Sequence, residues 1–578
     1  MSDITLALMP EENDMSCQPD EMAKPVKVRR PDRSELLMPA GNLEKLKMAV
    51  LYGADAIYMG TPDMSLRTKS QMTLDDVVEG IEFAHKHGKR VYLTLNLFSH
   101  NKDIDKLPQY VETVRKVKPD GLIVADPGVF MFVKAQAPEL ELHVSTQANV
   151  CSWQSVKFWK DQGASLVVMG REVSYPELAE VREKCPDLKL EAFIHGSMCM
   201  TYSGRCLLSN FMAERGANQG SCANSCRWKY KVHMKMRDGT VRELKLSEEN
   251  LELFDFFLEE EQRPGELMQI VEDERGSYIL NSRDLCLMPK LPDLLSIGID
   301  SLKVEGRGKS PYYVAIVARA YRMAMDDWFA DPENWDPELY MEELATVPNR
   351  GYTLAFHEGR LTNYAHGYEE TSTFAEWEFA GMVKEVREDA FIVLVKNKLE
   401  AGDVFEFVSP HLRAPIAIRL YEFEDAKNGK VTDVVNPGTN PEIRVPFLLF
   451  DHEDPSILRE HVPVMTVVRK ERALTPAQWA RLKHDGEAHD LEMGKGDEGL
   501  YQRKKEKLQE AVDADQTKRS KKSPRLGTEG CCGRGCNGCM VFWHDPKYEK
   551  ARAALARNEQ GKLLTKQQAR QEVIQKDA

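Results

Sequence analysis

Residues 35–60 of the chain read ELLMPAGNLEKLKMAVLYGADAIYMG. The runs ELLMPAG (35–41) and AIYMGT (56–61) are apolar at successive positions, which is typical of strands buried on both faces. Between them, NLEKLKMAVLYG (42–53) has the length of a helix and ends in glycine, a common helix stop. A strand, a helix and a second strand in this order predict a parallel β-α-β unit.

The same pattern recurs along the chain. The further strand-like runs are VYLTLNLF (91–98), GLIVADPG (121–128), LHVSTQAN (142–149), SLVVMGRE (165–172), LEAFIHGS (190–197) and SLKVEGR (301–307). Eight strand-then-helix units predict a (β/α)8 barrel of the TIM type. An open, doubly wound α/β sheet is the alternative, but GxGxxG is absent after the first strand and GxxxxGK[ST] occurs nowhere.

Composition changes along the chain and predicts its domains. Beyond the barrel, short β-type runs such as WEFAGMVKEV and AFIVLVKN alternate with turn residues, which indicates a small antiparallel barrel or sandwich. The predicted segments are a flexible leader (1–33), the barrel with its insertion (34–375), the small all-β domain (376–475), a charged linker (476–530) and a Cys-rich tail (531–578).

Four cysteines follow the seventh predicted strand, in the insertion before the eighth. They are Cys199, Cys206, Cys222 and Cys226, spaced C-x6-C-x15-C-x3-C. Four soft thiolates with no histidine among them suit an iron–sulfur cluster or a structural zinc, although buried cysteines without metal are the simpler alternative. In a barrel, an insertion at this point leaves from the C-terminal face, where active sites are built.

The tail carries a second dense group of thiols. Cys531, Cys532, Cys536 and Cys539 form a C-C-x3-C-x2-C run, which suits a second iron–sulfur cluster or zinc, or else a redox-sensitive flexible tail.

Several of these stretches together resemble a known family. EAFIHGSMC (191–199), NQGSCANSCRWKY (218–230), EEEQRPGELMQIVEDERGSYILNSRDL (259–285) and SLKVEGRGKSPYYVA (301–315), together with residues 35–60, are similar to the collagenase-like peptidases of unknown catalytic type. Several members of that family are oxygen-independent hydroxylases. The resemblance is strongest to those that use prephenate to hydroxylate the wobble uridine of tRNA at C5.

The resemblance implies a cofactor, a co-substrate and a partner. Cys199, Cys206, Cys222 and Cys226 would hold a [4Fe–4S] cluster, with Cys286 as the runner-up ligand. Prephenate would be the co-substrate, and the anticodon loop of tRNA and an electron donor of unknown identity would be the partners. The resemblance gives no role for the Cys-rich tail, and our hypothesis is electron delivery or tRNA contact. Cys17, Cys151 and Cys185 have no ligand partners at useful spacing and are expected to be structural.

Polar residues at the ends of the predicted strands are the candidate site, because barrel enzymes draw their catalytic groups from such positions. Candidates for substrate binding are Arg67, Asn96, Asp126, Gln147, Glu172 and Arg205, and candidates for catalysis are His195, Glu305 and Arg307. Arg307, Arg205, Arg67 or Lys303 would bind a dicarboxylate, since arginine binds carboxylates bidentately. Trp228, Tyr230 or Tyr202 would stack on the target base.

Structural alternatives remain for some of these residues. His195 is either a general acid/base or a hydrogen-bonded core histidine, and Glu305 and Arg307 could form a structural salt bridge.

Composition bounds the class of protein. The chain of 578 residues carries a net charge of −14, which argues against a surface coated in basic residues for duplex binding but leaves room for a local basic patch. No run of 18 or more apolar residues and no secretory signal is present, so we expect a cytoplasmic protein without a membrane partner.

Three rival functions stay open at this point. The same chemistry on ribosomal RNA or a quinone ring is the nearest. A collagenase-like peptidase is another, for which a Cys199–His195 or Cys206–His195 dyad is conceivable, although HExxH and GxSxG motifs are absent. A non-catalytic iron–sulfur scaffold is the third.

Overall fold

The structure is a computed structural model, and it describes part of the chain. The described residues are 34–61, 72–96, 99–199, 201–213, 222, 225–227, 233–235, 241–243, 256–259, 267–273, 276–278, 282–359, 365, 373, 375–450 and 455–472. The predicted leader, the charged linker and the Cys-rich tail lie outside them. Two compact units are distinguished, residues 1–344 with 348–373 and residues 345–347 with 374–578.

The first unit alternates strands and helices. Its strands are β1 (Glu35–Ala40), β2 (Ala56–Gly60), β3 (Arg90–Leu95), β4 (Gly121–Val124), β5 (Glu141–Val144), β6 (Leu166–Val168), β7 (Lys189–Ser197), β8 (His233–Lys235), β9 (Val241–Glu243), β10 (Phe256–Glu259), β11 (Leu267–Asp273), β12 (Gly276–Tyr278), β13 (Asp284–Cys286), β14 (Ser301–Val304) and β15 (Tyr352–Thr353). Its helices are α1 (Leu43–Leu51), α2 (Leu74–Lys86), α3 (Asn101–Ile104), α4 (Leu107–Val117), α5 (Pro127–Gln136), α6 (Trp153–Asp161), α7 (Tyr175–Lys184), α8 (Leu208–Ala213), α9 (Leu291–Ser296), α10 (Pro311–Ala330) and α11 (Glu338–Leu344).

The parallel sheet of this unit closes on itself. Strands β1 to β7 each pair in parallel with the next, and β14 pairs in parallel with both β7 and β1. At the closing seam Glu35 is in register with Ser301. The predicted (β/α)8 barrel is therefore confirmed, and the open-sheet alternative is wrong because an open sheet would leave two edges.

The strands are shorter than the sequence runs that predict them, and the difference matters for the site. The run SLKVEGR yields a strand that ends at Val304, so Glu305 and Arg307 lie just beyond it. The run SLVVMGRE likewise ends its strand at Val168, which leaves Arg171 and Glu172 in the following loop. The polar ends of these runs thus belong to the C-terminal face of the barrel.

Helix starts follow from side-chain caps. Asn42 accepts a hydrogen bond from the Lys45 N–H, and Thr73 and Asp76 form a reciprocal capping box at the start of α2. Ser310 accepts from the Tyr313 N–H at the start of α10. These caps fix where each helix leaves the barrel rim.

Among the described helices, none combines the length and the apolar character that a membrane span needs.

The barrel interior mixes apolar and charged layers. Leu37, Ala56, Tyr58, Tyr92 and Ile123 form an apolar cluster on the strands that open the barrel.

A buried ion pair lies among these strands. The Lys303 ammonium lies 2.7 Å from a carboxylate oxygen of Glu191, whose other oxygen accepts from the Ser301 hydroxyl at 2.9 Å. Lys303 Nζ also lies 4.4 Å from the Tyr58 ring centroid and 5.6 Å from that of Phe193. Because a buried charge is tolerated when it is paired and hydrogen-bonded, this cluster forms a neutralised support beneath the mouth.

The insertion between β7 and β14 holds strands β8 to β13. Its last strand, β13, runs antiparallel to the C-terminal part of β7 and places Cys286 opposite His195. The predicted location of the four cysteines, in the insertion between the seventh and eighth barrel strands, follows from these bounds.

The second unit is built from antiparallel strands. They are β16 (Trp377–Val386), β17 (Ala390–Val395), β18 (Leu399–Glu400), β19 (Val404–Val408), β20 (Ile416–Arg419), β21 (Phe423–Asp425), β22 (Val431–Thr432), β23 (Val434–Val435), β24 (Glu442–Pro446) and β25 (Val467–Glu471), with helix α12 (Pro455–His461). The main sheet has the order β20-β19-β25-β16-β17-β24-β21-β22. Its core contains Phe391, Phe405, Phe407 and Phe423, so the predicted all-β fold is confirmed.

Candidate active site

The segment Glu305–Gly306–Arg307 follows the closing strand β14 and is held tightly by its neighbours. The Glu305 N–H donates to the His195 carbonyl oxygen at 2.8 Å. A Cβ atom on Gly196, which has φ +116°, would lie 2.4 Å from the Glu305 carbonyl oxygen, and one on Gly41 would lie 2.2 Å from that of Arg307. Glycine is required at these two positions because the backbone of the segment approaches them too closely for a side chain.

The Glu305 carboxylate belongs to a half-buried ion pair. One of its oxygens lies 3.5 Å from Arg171 Nη2 and 3.4 Å from the Tyr58 hydroxyl. The Arg171 guanidinium in turn lies 3.9 Å from the Phe193 ring centroid, a cation–π contact. A carboxylate, a guanidinium and a phenol are thus brought together at the C-terminal end of the barrel.

Arg307 lies at the same mouth. Its Nη1 donates to the Thr94 hydroxyl at 3.1 Å, and its guanidinium carbon lies 5.9 Å from the Tyr58 ring centroid. The structure therefore places Glu305 against Arg171 and Arg307 against Thr94, with Tyr58 near both. The planar guanidinium of Arg307 is suited to a carboxylate ligand.

Gln147 and Glu172 anchor the segment that carries two of the cysteines. A Glu172 oxygen accepts from the Ser203 N–H, and a Cβ on Gly204 would lie 2.3 Å from the Gln147 carbonyl oxygen. The Gln147 Oε1 and Glu172 Oε2 atoms are buried and accept no hydrogen bond in the described structure. Buried acceptors of this kind are rare, and they mark positions where a donor would be stabilised.

Two other predicted binding residues have structural contacts. Asp126 caps α5 by accepting from the Val129 N–H at 3.0 Å, and Asn96 is buried and donates to the Ser145 hydroxyl at 3.3 Å. Arg205 is exposed, and Arg67, Trp228 and Tyr230 lie outside the described residues.

His195 is enclosed by aromatic rings. Its ring lies 5.3–5.8 Å from those of Tyr313, Tyr321 and Tyr352, and its Nδ1 lies 3.5 Å from the Tyr321 hydroxyl. Burial lowers the pKa of His195 from 6.5 to about 3, with Asp284 acting in the opposite direction. A histidine that stays neutral in such a pocket fits the core alternative better than acid–base catalysis.

The four predicted cluster ligands all fall on described residues. Cys199 and Cys222 are exposed, and Cys206 and Cys226 are half-buried. The 3₁₀ turn that contains Cys226 packs against α8, the helix that begins two residues after Cys206. Within the described part of the chain, no three His, Cys, Asp or Glu side chains stand in an arrangement that would hold a metal ion. The ligand set therefore stays a prediction, and the second set at Cys531–Cys539 lies outside the described residues.

The remaining described cysteines sit in the protein interior or at its margin. Cys286 is buried, 3.8 Å from the Tyr321 hydroxyl and 3.6 Å from the Met341 sulfur. Burial raises the pKa of the Cys151 thiol to about 11, with a contribution from Glu172. Such thiols are inert rather than nucleophilic.

Four residues of the site were missed by the sequence analysis: Tyr58, Thr94, Arg171 and Phe193. Arg171 directly precedes Glu172 in the run SLVVMGRE, so the strand-end rule that selected Glu172 applies equally to it. Tyr58, Thr94 and Phe193 look like ordinary strand residues, and only closure of the barrel shows which way they point.

The family is decided by a match over more than half of the chain. Residues 41–366 match the family model described as Peptidase family U32. The chain belongs to peptidase family U32. Residues 375–459 match the C-terminal domain of the same family, in the second unit of this U32 protein.

Curated relatives of this U32 protein carry names that refer to RNA. It is 39% identical to "tRNA hydroxylation protein P" of Escherichia coli K12, over 68% of this chain and 90% of that one. It is 38% identical to "tRNA hydroxylation protein P1" of Bacillus subtilis 168, over 66% and 84% of the two chains. It is 30% identical to the "23S rRNA 5-hydroxycytidine C2501 synthase" of E. coli, over 64% and 52%.

Proposed function

We propose that this U32 protein hydroxylates RNA, and that its substrate is the wobble uridine of tRNA, modified at C5. The observation that carries the proposal is the likeness over 84–90% of the length of relatives named for tRNA hydroxylation. The barrel mouth is consistent with it, because it combines an arginine-rich polar floor with a cysteine-bearing rim. The proposal includes prephenate as co-substrate and an oxygen source other than O2.

Arg307 is the residue proposed to hold prephenate. Its guanidinium lies in the mouth beside Tyr58, and guanidinium groups bind carboxylates through two parallel N–H donors. Arg205, which is exposed on the cysteine-bearing segment, would meet a second carboxylate or an RNA phosphate. Lys303 is a weaker candidate than the sequence suggested, because its ammonium is already neutralised by Glu191.

Glu305 is proposed as the group that moves or holds a proton. Its carboxylate is paired with Arg171 and lies at the mouth, at the end of β14. The Tyr58 hydroxyl lies 3.4 Å away but has a shorter hydrogen bond, at 3.0 Å, to the Val304 carbonyl oxygen. The Arg171 partner keeps the carboxylate at the mouth, and a held position is what general acid–base catalysis requires.

The four thiols of the rim have the donor chemistry of an iron–sulfur site. Cys199, Cys206, Cys222 and Cys226 would hold the cluster. When bound, such a cluster supplies one-electron redox chemistry. The anchoring of Ser203 by Glu172 keeps part of this ligand segment at the mouth.

The target base needs little unfolding of the RNA. A wobble uridine lies in an anticodon loop and is already unpaired, so its extrusion into the mouth costs only about a few kcal/mol.

Nucleoside mass spectrometry tests the proposal. In a strain lacking the gene, 5-hydroxyuridine and its derivatives should disappear from tRNA and return with the wild-type gene but not with Arg307→Ala. Unchanged tRNA nucleosides in the deletion strain would rule out this substrate, and a missing hydroxylated nucleoside in ribosomal RNA would point to the ribosomal alternative instead.

Iron content tests the cofactor separately. After anaerobic purification, Cys206→Ser and Cys222→Ser should lose most of the iron and the absorbance near 400 nm. Cys185→Ser is the matched control, because Cys185 is buried and donates to the Trp153 carbonyl oxygen at 3.6 Å. Equal iron in all three variants and the wild type would remove these cysteines as ligands.

The peptidase alternative gains no support from the geometry. Its dyad would need His195 as a base, but burial keeps that imidazole neutral with a pKa of about 3 among three tyrosine rings. A base with so low a pKa does not deprotonate a thiol at neutral pH.

A further inference from the structure

The cysteine-bearing segment presents large apolar side chains to solvent. Phe211 is 84% exposed, Leu207 72% and Tyr202 63%, and Met212 is also exposed. Fully burying a side chain of this kind is worth roughly 1.5–3 kcal/mol, so four exposed together call for a function. We refer to Tyr202, Leu207, Phe211 and Met212 as the rim patch.

The residues of the rim patch lie on one short segment with local backbone hydrogen bonds. The Phe211 N–H donates to the Leu207 carbonyl oxygen at 2.9 Å, which places these two side chains one helical turn apart on the same face. The Arg205 N–H donates to the Tyr202 carbonyl oxygen at 3.0 Å, so Tyr202 opens a turn that ends three residues before α8 begins.

The segment that bears the patch is fixed to the barrel mouth. Ser203 is hydrogen-bonded to Glu172, and Gly204 lies against the Gln147 backbone. Both anchor residues follow barrel strands on the C-terminal face. The patch therefore stands beside the mouth that contains Glu305 and Arg307, in the same unit.

Charge indicates the kind of partner. Residues 201–213, TYSGRCLLSNFMA, contain Arg205 and no carboxylate, in a chain whose net charge is −14. A protein this acidic repels a polyanion over much of its surface, so RNA would approach where cations and neutral groups dominate. Two exposed aromatic rings with an arginine between them in sequence are the combination that binds single-stranded nucleic acids by stacking.

We infer that the rim patch binds unpaired bases of the RNA substrate, with Tyr202 and Phe211 as stacking platforms and Arg205 as a phosphate contact. The inference rests on the proposed function for the nature of the substrate. Leu207 and Met212 flank the rings and exclude water from the stacked bases. In this arrangement the bases next to the target are held outside the mouth while the target enters it.

Binding of a labelled RNA hairpin to the full-length protein tests the inference. The probes are a synthetic hairpin with an open single-stranded loop and a fully paired duplex of the same stem sequence, followed by fluorescence anisotropy. Tyr202→Ala and Phe211→Ala should each weaken hairpin binding roughly 5- to 150-fold, the range for one lost base–aromatic stack, and leave duplex binding unchanged. Tyr202→Phe should bind as the wild type does, because the ring is kept.

Matched controls separate stacking from a general loss of apolar surface. Phe158 on α6 is 51% exposed and Leu448 in the second unit is 84% exposed, and alanine at either should leave hairpin binding unchanged. Arg205→Ala should weaken binding and reduce its dependence on salt concentration. Because the patch residues are exposed, their variants should keep the wild-type melting temperature.

Two results would overturn the inference. One is wild-type hairpin affinity in both Tyr202→Ala and Phe211→Ala, and the other is an equal loss on the duplex. The binding assay uses no co-substrate, so it is independent of hydroxylation. If tRNA is hydroxylated but these variants bind normally, the inference alone fails; if they lose hairpin binding but no nucleoside is hydroxylated, the proposed function alone fails.

Discussion

Arg307 is the side chain proposed to bind the carboxylate of the co-substrate. Its guanidinium lies beside Tyr58 and donates to Thr94, so its plane is fixed within the mouth. Arg307→Lys keeps the charge but loses the two-pronged geometry. We expect the KM for prephenate to rise roughly 10- to 150-fold, corresponding to about 1.5–3 kcal/mol for a charged hydrogen bond, in initial-rate measurements on tRNA.

Arg115→Lys is the control for that substitution. Arg115 forms an exposed ion pair with Glu139 at 2.7 Å, and a surface pair of this kind contributes little. Its KM should equal that of the wild type. An unchanged KM in Arg307→Lys as well would show that another residue holds the acid.

His195 makes stability depend on pH. Its folded pKa of about 3 lies below the ordinary 6.5, so between these values the unfolded chain takes up a proton that the folded chain does not. The stabilisation is complete above pH 6.5 and is lost as the pH falls toward 3. At pH 5 the free energy of unfolding has fallen by about 2 kcal/mol from its value at high pH.

Replacing His195 should therefore flatten the pH dependence. His195→Phe and His195→Asn cannot titrate, and we expect both to show a smaller drop in melting temperature from pH 7 to pH 5 than the wild type shows. The comparison uses only the difference between two pH values, so a lower stability at pH 7 does not affect it. Identical drops in all three proteins would mean that His195 is protonated in the folded state.

At the level of residues, the strand-end rule gave the position of two candidates, whose catalytic roles stay predictions. Glu305 and Arg307 were selected because they end a strand, and the barrel brings both to its mouth. Asp126 satisfied the same rule, yet its carboxylate caps α5. The rule gives position, and it cannot say whether a strand-end carboxylate faces the mouth or the next helix, because that depends on the backbone after the strand.

At the level of strands, Gly196 on β7 lies against the segment that follows the neighbouring strand β14. It has φ +116°, and a Cβ there would lie 2.4 Å from the Glu305 carbonyl oxygen. Gly196→Ala should cost roughly 1–3 kcal/mol and also displace Glu305, so both the melting temperature and the hydroxylation rate should fall.

Gly88 provides the matched comparison. It also has a positive φ, +68°, but a Cβ there would meet nothing within 4 Å. Gly88→Ala should lower the melting temperature without lowering the rate. A normal rate in Gly196→Ala would show that the position of Glu305 tolerates movement of β7.

Barrel strands were predictable because burial on both faces leaves a plain apolar signature. The strand ends were less so, since runs such as SLVVMGRE continue past the last paired residue at Val168. Strand β13 escaped prediction altogether. It pairs antiparallel with the end of β7, which lies far away in the sequence, and the local sequence NSRDLC does not indicate this pairing.

For the molecule as a whole, no single local sequence pattern predicts that the sheet closes into a barrel. Each β-α-β unit predicts a parallel neighbour, but only the pairing of β14 with both β1 and β7 distinguishes a barrel from an open sheet. Motif absence and repeat number were sufficient here to choose correctly. The contacts of Tyr58 with Glu305 and Arg307 follow from closure, which is why they were missed.

The C-terminal region of the chain continues beyond the residues that match the family's C-terminal domain. The family's C-terminal domain matches residues 375–459, and β25 at Val467–Glu471 lies centrally in the sheet between β19 and β16. Removing a central strand would open the core of that unit, so a chain ended before Val467 should unfold it. A chain ended at Leu526 keeps every strand described here and lacks Cys531, Cys532, Cys536 and Cys539.

Deletion of residues 527–578 therefore tests the tail without disturbing the sheet. If the tail delivers electrons or contacts tRNA, the shortened protein should melt as the full chain does but hydroxylate tRNA more slowly, and its metal content should fall by the share that the tail binds. Supplying a chemical reductant should restore the rate if the lost role is electron delivery, whereas a raised KM for tRNA that persists with reductant would indicate lost RNA contact. A full rate and full metal content in the shortened protein would leave the tail with neither role.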